Sequence, residues 1–388
     1  MIHILKKYFH AARRAVARRW LSSMHVTQIA ITGSQGKTAV SQGLYALLRT
    51  LRPTVVTDVN LDTIYNVPIT ALHVRPYHHY AIFELGIDKV REMDFHLTIV
   101  RPDIAVITGI SDVHSDAEHM GSLANVITEK QKLIEHLRQD GTAILNYSDP
   151  AVRAMAPHTR GSILWYGART DYAPSINAPY VSYSDVHVTT AGTDFMLHDH
   201  TTDTSLHLST RLIGTFHAST ITAIYVILKK LNPYFVNNFD QGVRELLEPL
   251  RGRMNIEPGP HETLILNDAL RANPISTIAG LTTFESIPYA EGRKVAILAD
   301  MGELEHPEEE HTRVGQHIAT LNIDVVICAG RMQRYTADAI RGSRPTASVH
   351  WYPTVADAKK DIEKLIEPHD FIYLKGSLYS RVGAIFSE

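Results

Sequence analysis

The 388-residue chain has a single cysteine, Cys328. An internal disulfide is therefore excluded, which fits a reducing cytoplasm. Cys328 stands in the strand-like run Val-Val-Ile-Cys-Ala-Gly and reads as core packing. No apolar run approaches the roughly 18 residues that a membrane span needs. Charge of one sign is also scarce overall: the formal net charge is −3, which argues against a general nucleic-acid binder. Hydrophobic residues make up 44% and charged residues 20%, enough for a soluble chain of two or three domains.

One local absence stands out. Residues 1–24 contain no acid, yet carry Lys6, Lys7, Arg13, Arg14, Arg18 and Arg19. Leu5, Phe9, Ala12, Val16 and Trp20 recur there at helical spacing. The segment predicts a basic amphipathic helix, without the apolar core and cleavage site of a signal peptide. It suits an anionic membrane surface, and equally suits packing on its own domain or on a partner subunit.

What is present points to phosphate. Residues 30–38 read Ala-Ile-Thr-Gly-Ser-Gln-Gly-Lys-Thr, between an apolar run and a helical pattern. Gly33 and Gly36 let backbone approach phosphate oxygens, and Ser34 and Gln35 complete the turn. The free N–H groups of the following helix face the anion. Lys37 can reach the β- and γ-phosphates, and the Thr38 hydroxyl can ligate Mg²⁺. Ile31 stands where a full Walker A loop has its first glycine, so the loop is a shortened version.

Apolar β-rich runs at 28–32, 80–84, 104–108, 142–145, 263–266, 295–299, 325–328 and 371–374 alternate with helical patterns such as 123–138 and 309–321. Such alternation means α/β layers with mostly parallel sheets. Residues 171–210, rich in Thr, Ser, Asp and His, read as a small antiparallel patch. Leu250-Arg-Gly-Arg-Met-Asn marks a boundary before a second α/β domain. Ligands collect at the carboxyl ends of strands in open α/β sheets. Several candidates sit there: Glu84 for Mg²⁺, His114, Asn267 and Asp268, Asp300, and Lys375 with Ser377 for a substrate carboxylate. Lys130, on the helix after His114, would ordinarily be a solvated charge.

The ordered set resembles the Mur ligase family, the ATP-dependent ligases of bacterial cell-wall peptide assembly, over roughly residues 27–388. The motifs are most similar to those of the member that adds D-alanyl-D-alanine to the UDP-muramoyl tripeptide. Beside the phosphate loop, Asn60-Leu-Asp-Thr-Ile-Tyr-Asn-Val-Pro68 resembles the family's Asn-rich substrate segment. Glu84-Leu-Gly resembles the Mg²⁺-binding glutamate, and Arg101 through His114 the strand and histidine that follow. Lys130 falls where the family carries a carbamylated lysine that helps hold a second Mg²⁺. Gly252-Arg253 resembles the hinge whose arginine reaches the nucleotide, and Asn267 through Pro274 the nucleotide-side segment.

The resemblance implies an α/β fold: a helix over 1–26, a central P-loop ATPase-type domain with a mostly parallel sheet over 27–252, and a C-terminal Rossmann-like domain over 253–388. It implies ATP and Mg²⁺ or Mn²⁺ as cofactors, and carboxylate and amine substrates joined through an acyl phosphate. The implied catalytic set is Lys37, Glu84, His114 and Lys130, with Thr38, Glu84, His114 and Lys130 on metal. Gly33, Ser34, Gln35, Gly36, Lys37, Thr38, Arg253, Asn267 and Asp268 are implied on nucleotide. Asn60, Asp300, Lys375 and Ser377 are implied on substrate. Two departures bear on specificity. Only residues 1–26 precede the core, where the family has a domain for the UDP end of its substrate. The adenine-holding His-Asn-x-x-Asn-Ala reads His217-Ala-Ser-Thr-Ile-Thr, so both asparagines are gone. A ligase like the poly-γ-glutamate or cyanophycin synthetases, or a non-catalytic nucleotide-binding subunit, are the alternative expectations.

Overall fold

The alternating runs build two parallel-rich sheets in a computed structural model that describes residues 2–59, 63–111, 120–172, 178–302, 304–344 and 346–386, without the side chains of 2–8 and 378. Two compact units result. One is Met1–Val186, Asp194–Ser209 and Phe216–Leu247; the other is His187–Thr193, Thr210–Thr215 and Glu248–Glu388.

The first unit opens with α1 (Ile2–Ser22), β1 (Thr27–Thr32), α2 (Lys37–Leu51), β2 (Thr54–Val56), α3 (Thr63–His73), β3 (Tyr80–Glu84) and α4 (Glu92–Leu97). It continues through β4 (Ile104–Ile107), α5 (Leu123–Glu135), β5 (Thr142–Asn146), α6 (Pro150–Met155) and β6 (Ser162–Ala168). Then come β7 (Tyr180–Thr189), β8 (Gly192–Asp199), β9 (Thr204–Thr210), α7 (Phe216–Leu231) and α8 (Phe239–Leu246). The sheet order is β2-β3-β1-β4-β5-β6-β7-β8-β9, with parallel pairing through β7. Only two residues join the neighbouring strands β7 and β8, which forces an antiparallel pair and accounts for the patch expected over 171–210. The central strands are buried on both faces, so they read as unbroken apolar runs rather than alternating ones.

The second unit contains β10 (Asn255–Pro258), β11 (Leu264–Asp268), α9 (Pro274–Ser286), β12 (Lys294–Ala299), α10 (Pro307–Ala319), β13 (Val325–Ala329), α11 (Gln333–Ser343), β14 (Ser348–Tyr352), α12 (Val355–Leu365) and β15 (Phe371–Lys375). Its order is β10-β11-β15-β12-β13-β14, parallel except for β10. Cys328 is wholly buried in β13, as core packing requires.

In each sheet the strand order reverses beside a central strand. In the first, β1 lies between β3 and β4; in the second, β15 lies between β11 and β12. A crevice opens at the carboxyl edge of such a reversal, where neighbouring connections leave in opposite directions.

Candidate active site

The first reversal carries the phosphate loop. β1 ends at Thr32, and the chain turns through Gly33 and Gly36 into α2. Both glycines have positive φ, +152° and +79°. A Cβ on Gly33 would lie 2.0 Å from Thr108 Oγ1, so no other residue fits there without moving β4's end. Thr108 Oγ1 in turn hydrogen-bonds the Thr32 and Gln35 carbonyls, and Ser34 Oγ accepts from the Ser111 N–H at 2.9 Å. The loop is thereby pinned to the neighbouring strand end. Gly36 caps α2 without a side-chain bond, which leaves the first N–H groups of the helix for an anion.

Two ammonium groups converge on this turn. Lys37 Nζ donates to the Gly33 carbonyl at 2.8 Å, and Lys130 Nζ donates to the same oxygen at 3.1 Å. Lys130 is buried, contrary to the solvated charge its helix position suggested. The reason is that α5 turns Val126, Glu129, Lys130, Leu133 and Ile134 inward as one face. Burial, then the Lys37 charge, lower the Lys130 pKa to about 7, against a weaker opposing pull from Asp88. A large fraction of neutral amine near neutral pH follows.

Glu84, at the end of β3, receives Thr38 Oγ1 on one oxygen at 2.8 Å and Ser41 Oγ on the other at 3.1 Å. Its own N–H donates to Thr57 Oγ1 at 3.0 Å. The cluster of hydroxyl and carboxylate oxygens suits a hard divalent cation. Ser41 was missed from sequence, although it stands four residues after Lys37 and so on the same face of α2. Thr108 was missed because a strand-end threonine carries no motif. His114 and Asn60 lie outside the described residues. Thr63, just beyond the Asn60 segment, donates its hydroxyl to the Gly86 carbonyl at 2.7 Å and ties that segment's helix to the strand end that bears Glu84.

In the second unit, β11 and β15 pair so that Asp268 and Lys375 are register partners. Lys375 Nζ donates to Asp268 Oδ2 at 2.6 Å, and Tyr373 OH donates to the same oxygen at 3.0 Å. Burial raises the Asp268 pKa, and Lys375, Tyr373 and Arg253 pull it back down. Asn267 Nδ2 donates to Glu257 Oε1 at 2.7 Å. Arg253 follows Gly252, whose φ of +74° bends the chain as it enters this unit. At the end of β12, Asp300 Oδ1 accepts the Gln333 N–H at 3.1 Å, and the Ser377 N–H donates to the Asp300 carbonyl at 3.2 Å. The structure thus gathers Arg253, Asp268 and Lys375 into one group, and Asp300 and Ser377 into a neighbouring one. In this state Lys375 is bound to Asp268 rather than free for a substrate carboxylate.

Shortened phosphate loop, strand-end glutamate, buried lysine and a second α/β unit together define a nucleotide-phosphate-binding α/β protein. Comparison with known proteins narrows the class. Residues 31–227 match the Mur ligase middle domain, and residues 252–378 match the Mur ligase glutamate ligase domain. The chain belongs to the Mur ligase family. Over 317 residues it is 27% identical to the Escherichia coli UDP-N-acetylmuramoyl-tripeptide–D-alanyl-D-alanine ligase, covering 80% of this chain and 66% of that protein. The namesake from Buchnera aphidicola (strain Bp) is 28% identical, with 80% and 64% covered. The chain therefore spans just under two thirds of these relatives. A crystal structure of MurF from Acinetobacter baumannii superposes with a TM-score of 0.79 at 25% identity, covering 97% of this chain and 78% of that one. MurF from Thermotoga maritima in complex with ADP gives 0.79 at 20% identity, with 97% and 82% covered, a likeness of fold.

Proposed function

We propose that this chain is an ATP-dependent carbon–nitrogen ligase that joins a carboxylate to an amine through an acyl phosphate, on a cell-wall-peptide-like or amino-acid substrate. The observation that carries the reading is the Gly33 carbonyl, on which Lys37 and Lys130 converge beside the Thr38–Glu84 pair. Two anions, a carboxylate and a γ-phosphoryl group, must meet in such a reaction. Lys37 supplies positive charge, and the oxygen donors would hold a cation that adds to it, so that the anions' repulsion is offset.

In this reading Gly33, Gln35 and Gly36 present backbone N–H groups to phosphate, while the Ser34 N–H is held by the Gly109 carbonyl at 2.7 Å and fastens the loop instead. Lys37 leaves the Gly33 carbonyl for the β- and γ-phosphates when nucleotide enters. The oxygen donors fit Mg²⁺ or Mn²⁺, which would be held by Thr38 and Glu84, with His114 and carbamylated Lys130 as the further ligands. The metal's contribution when bound is Lewis-acid stabilisation of phosphoryl oxygens. Ser41 orients the Glu84 carboxylate. Lys130 offers a neutral amine, the form that adds to CO₂; the amine nitrogen bonds the carbon and releases one proton. The resulting carbamate would face Lys37 as an anion, turning a repulsion into an attraction. Within the second unit, Arg253, Asn267 and Asp268 are the candidates for nucleotide contact. Asp300, Lys375 and Ser377 are the second unit's candidates for holding substrate, and Asn60 is the first unit's.

The enzyme would work in the cytoplasm, with residues 1–24 as a peripheral contact at the inner face of the membrane. A phosphate-release screen over carboxylate and amine pairs, including UDP-linked and lipid-linked muramoyl peptides, tests the activity. Release that needs both substrates supports it. Release indifferent to either one overturns it.

A further inference from the structure

α1 is held to its unit by a face that its apolar periodicity does not announce. Ala17 and Leu21 are wholly buried. The Arg13 guanidinium lies 5.9 Å from the Tyr65 ring centroid on α3, and that of Arg14 lies 5.1 Å from the Phe95 ring on α4. The Trp20 indole N–H donates to the Val74 carbonyl at 2.9 Å. The apolar stripe points elsewhere: Phe9 is 62% exposed and Val16 58%, with Ala12 exposed between them. A surface helix ordinarily buries its apolar stripe. Here the stripe is turned outward and fixed there by contacts on the other side.

Its surroundings say what would cover it. Arg19, exposed and three residues after Val16, rims the stripe on one flank, while Arg13 on the other turns its guanidinium to Tyr65. No acidic residue occurs in residues 1–24, within a chain whose net charge is −3. We infer that the outward stripe of α1 docks on an anionic lipid surface, with the helix axis in the plane of the headgroups. Phe9, Val16 and the exposed edge of Trp20 enter the acyl boundary, while Arg19 meets headgroup phosphates. A narrow exposed apolar strip flanked by Arg19, on a segment without acids, matches a plane with hydrocarbon below and negative charge above. The inference rests on the membrane contact proposed above and specifies its face and its lipid class. It does not depend on the ligase chemistry.

The test is co-sedimentation of the full chain with vesicles of phosphatidylcholine, alone or containing phosphatidylglycerol, at low and high salt. Binding is expected only with the anionic lipid, and it should fall by about tenfold or more at high salt as the charges are screened. Phe9→Glu and Val16→Glu should abolish it while leaving the far-UV circular dichroism and any ATP turnover unchanged. Arg19→Glu should weaken it in parallel. Absence of binding to anionic vesicles at low salt overturns the inference. So does binding that survives both glutamate variants. A solution dimer, or a complex with an acidic protein, that Val16→Glu dissociates would assign the stripe to that partner and overturn it equally. Loss of ligase activity in the screen above would leave every one of these readouts intact.

Discussion

Among the described residues two lysines are buried, and the molecule treats them in opposite ways. Lys130 in the first unit is 4% exposed and Lys375 in the second is 3% exposed. Lys375 meets a carboxylate at 2.6 Å, itself hydrogen-bonded by Tyr373. Lys130 meets a carbonyl that is shared with another ammonium. Burial of a charge is costly unless a partner compensates. The second unit compensates in full, and the first leaves the charge opposed, so that the lysine tends to shed its proton. The lesson is that the group opposite a buried lysine decides whether it is a fastening or a reagent.

Removing each lysine breaks the comparison most directly. Lys375→Ala leaves Asp268 buried without its cation, which should cost about 3–5 kcal/mol of stability. Lys130→Ala removes an opposed charge, so its melting temperature should hold or rise. Its ATP-dependent phosphate release should fall by about 100-fold or more, as for Lys37→Ala, because each change strips electrostatic stabilisation from the phosphate site. Thermal melts beside phosphate-release assays decide the matter. Equal losses of melting temperature in the Lys130 and Lys375 variants would erase the distinction.

Chemical rescue sharpens it. If Lys130 acts as a carbamate, a short-chain carboxylic acid can place a carboxylate in the space left by Lys130→Ala. Recovery of about a tenth of the lost rate would fit the partial replacement of a positioned group. Lys375→Ala should gain nothing from the same acid. ¹³C-labelled CO₂ should give a carbamate resonance in the native chain that disappears in Lys130→Ala. A bare lysine signal at saturating CO₂ would count against the role.

A smaller effect appears in stability against pH. The folded pKa of Lys130 lies near 7, against an ordinary 10.5. Between those values the unfolded chain holds a proton that the native chain has released, so stability rises with pH across that window. The gain is bounded at about 5 kcal/mol, from 1.36 kcal/mol per pKa unit. Below about pH 7 the opposed charge is present in full and the contribution is flat. The readout is the difference between the native chain and Lys130→Met in CO₂-free buffer from pH 7 to 10. Identical slopes would mean that Lys130 keeps its charge.

These contrasts were only half legible in the sequence. The phosphate turn was plain, since glycine spacing, a preceding apolar run and Gly-Lys-Thr all agree. The parallel strands were plain for the same reason that they are stable, being apolar on both faces. Lys130 was not, because a lysine on a helix reads as solvated unless the inward face is known, and that face includes Glu129 as well. The helix over 123–138 ends at Glu135, three residues early. β2 is only three residues long, and β14 lies at the sheet edge with half-buried residues, so neither stands out as an apolar run. For α1 the periodicity found the helix and the stripe but left open whether the stripe packs inward, and the fold leaves Phe9 and Val16 exposed. The docking of α1 uses ring and guanidinium contacts that a hydrophobic pattern does not score.

The smallest expected effect concerns the base of the nucleotide. Ala218 and Ile221 stand on α7 where family members carry asparagines, and both are wholly buried. They offer no donor or acceptor to a purine. His217 is buried beside Phe216, with ring centroids 4.2 Å apart, and burial lowers its pKa to about 3. Its imidazole is therefore neutral at any working pH. Its Nδ1 has no protein partner among the described residues. A site that hydrogen-bonds a base rejects analogues by leaving its own groups unpaired, and a site without those groups loses that rejection. ATP and GTP should then differ in kcat/KM by less than about tenfold, which corresponds to one lost hydrogen bond of ~1.4 kcal/mol. Restoring asparagine at Ala218 should widen the ratio, provided that the buried amide finds the base. A strict preference for ATP in the native chain would show that other residues read adenine. His217→Phe would then be the first variant to try, since it keeps the ring and removes the unpaired nitrogen.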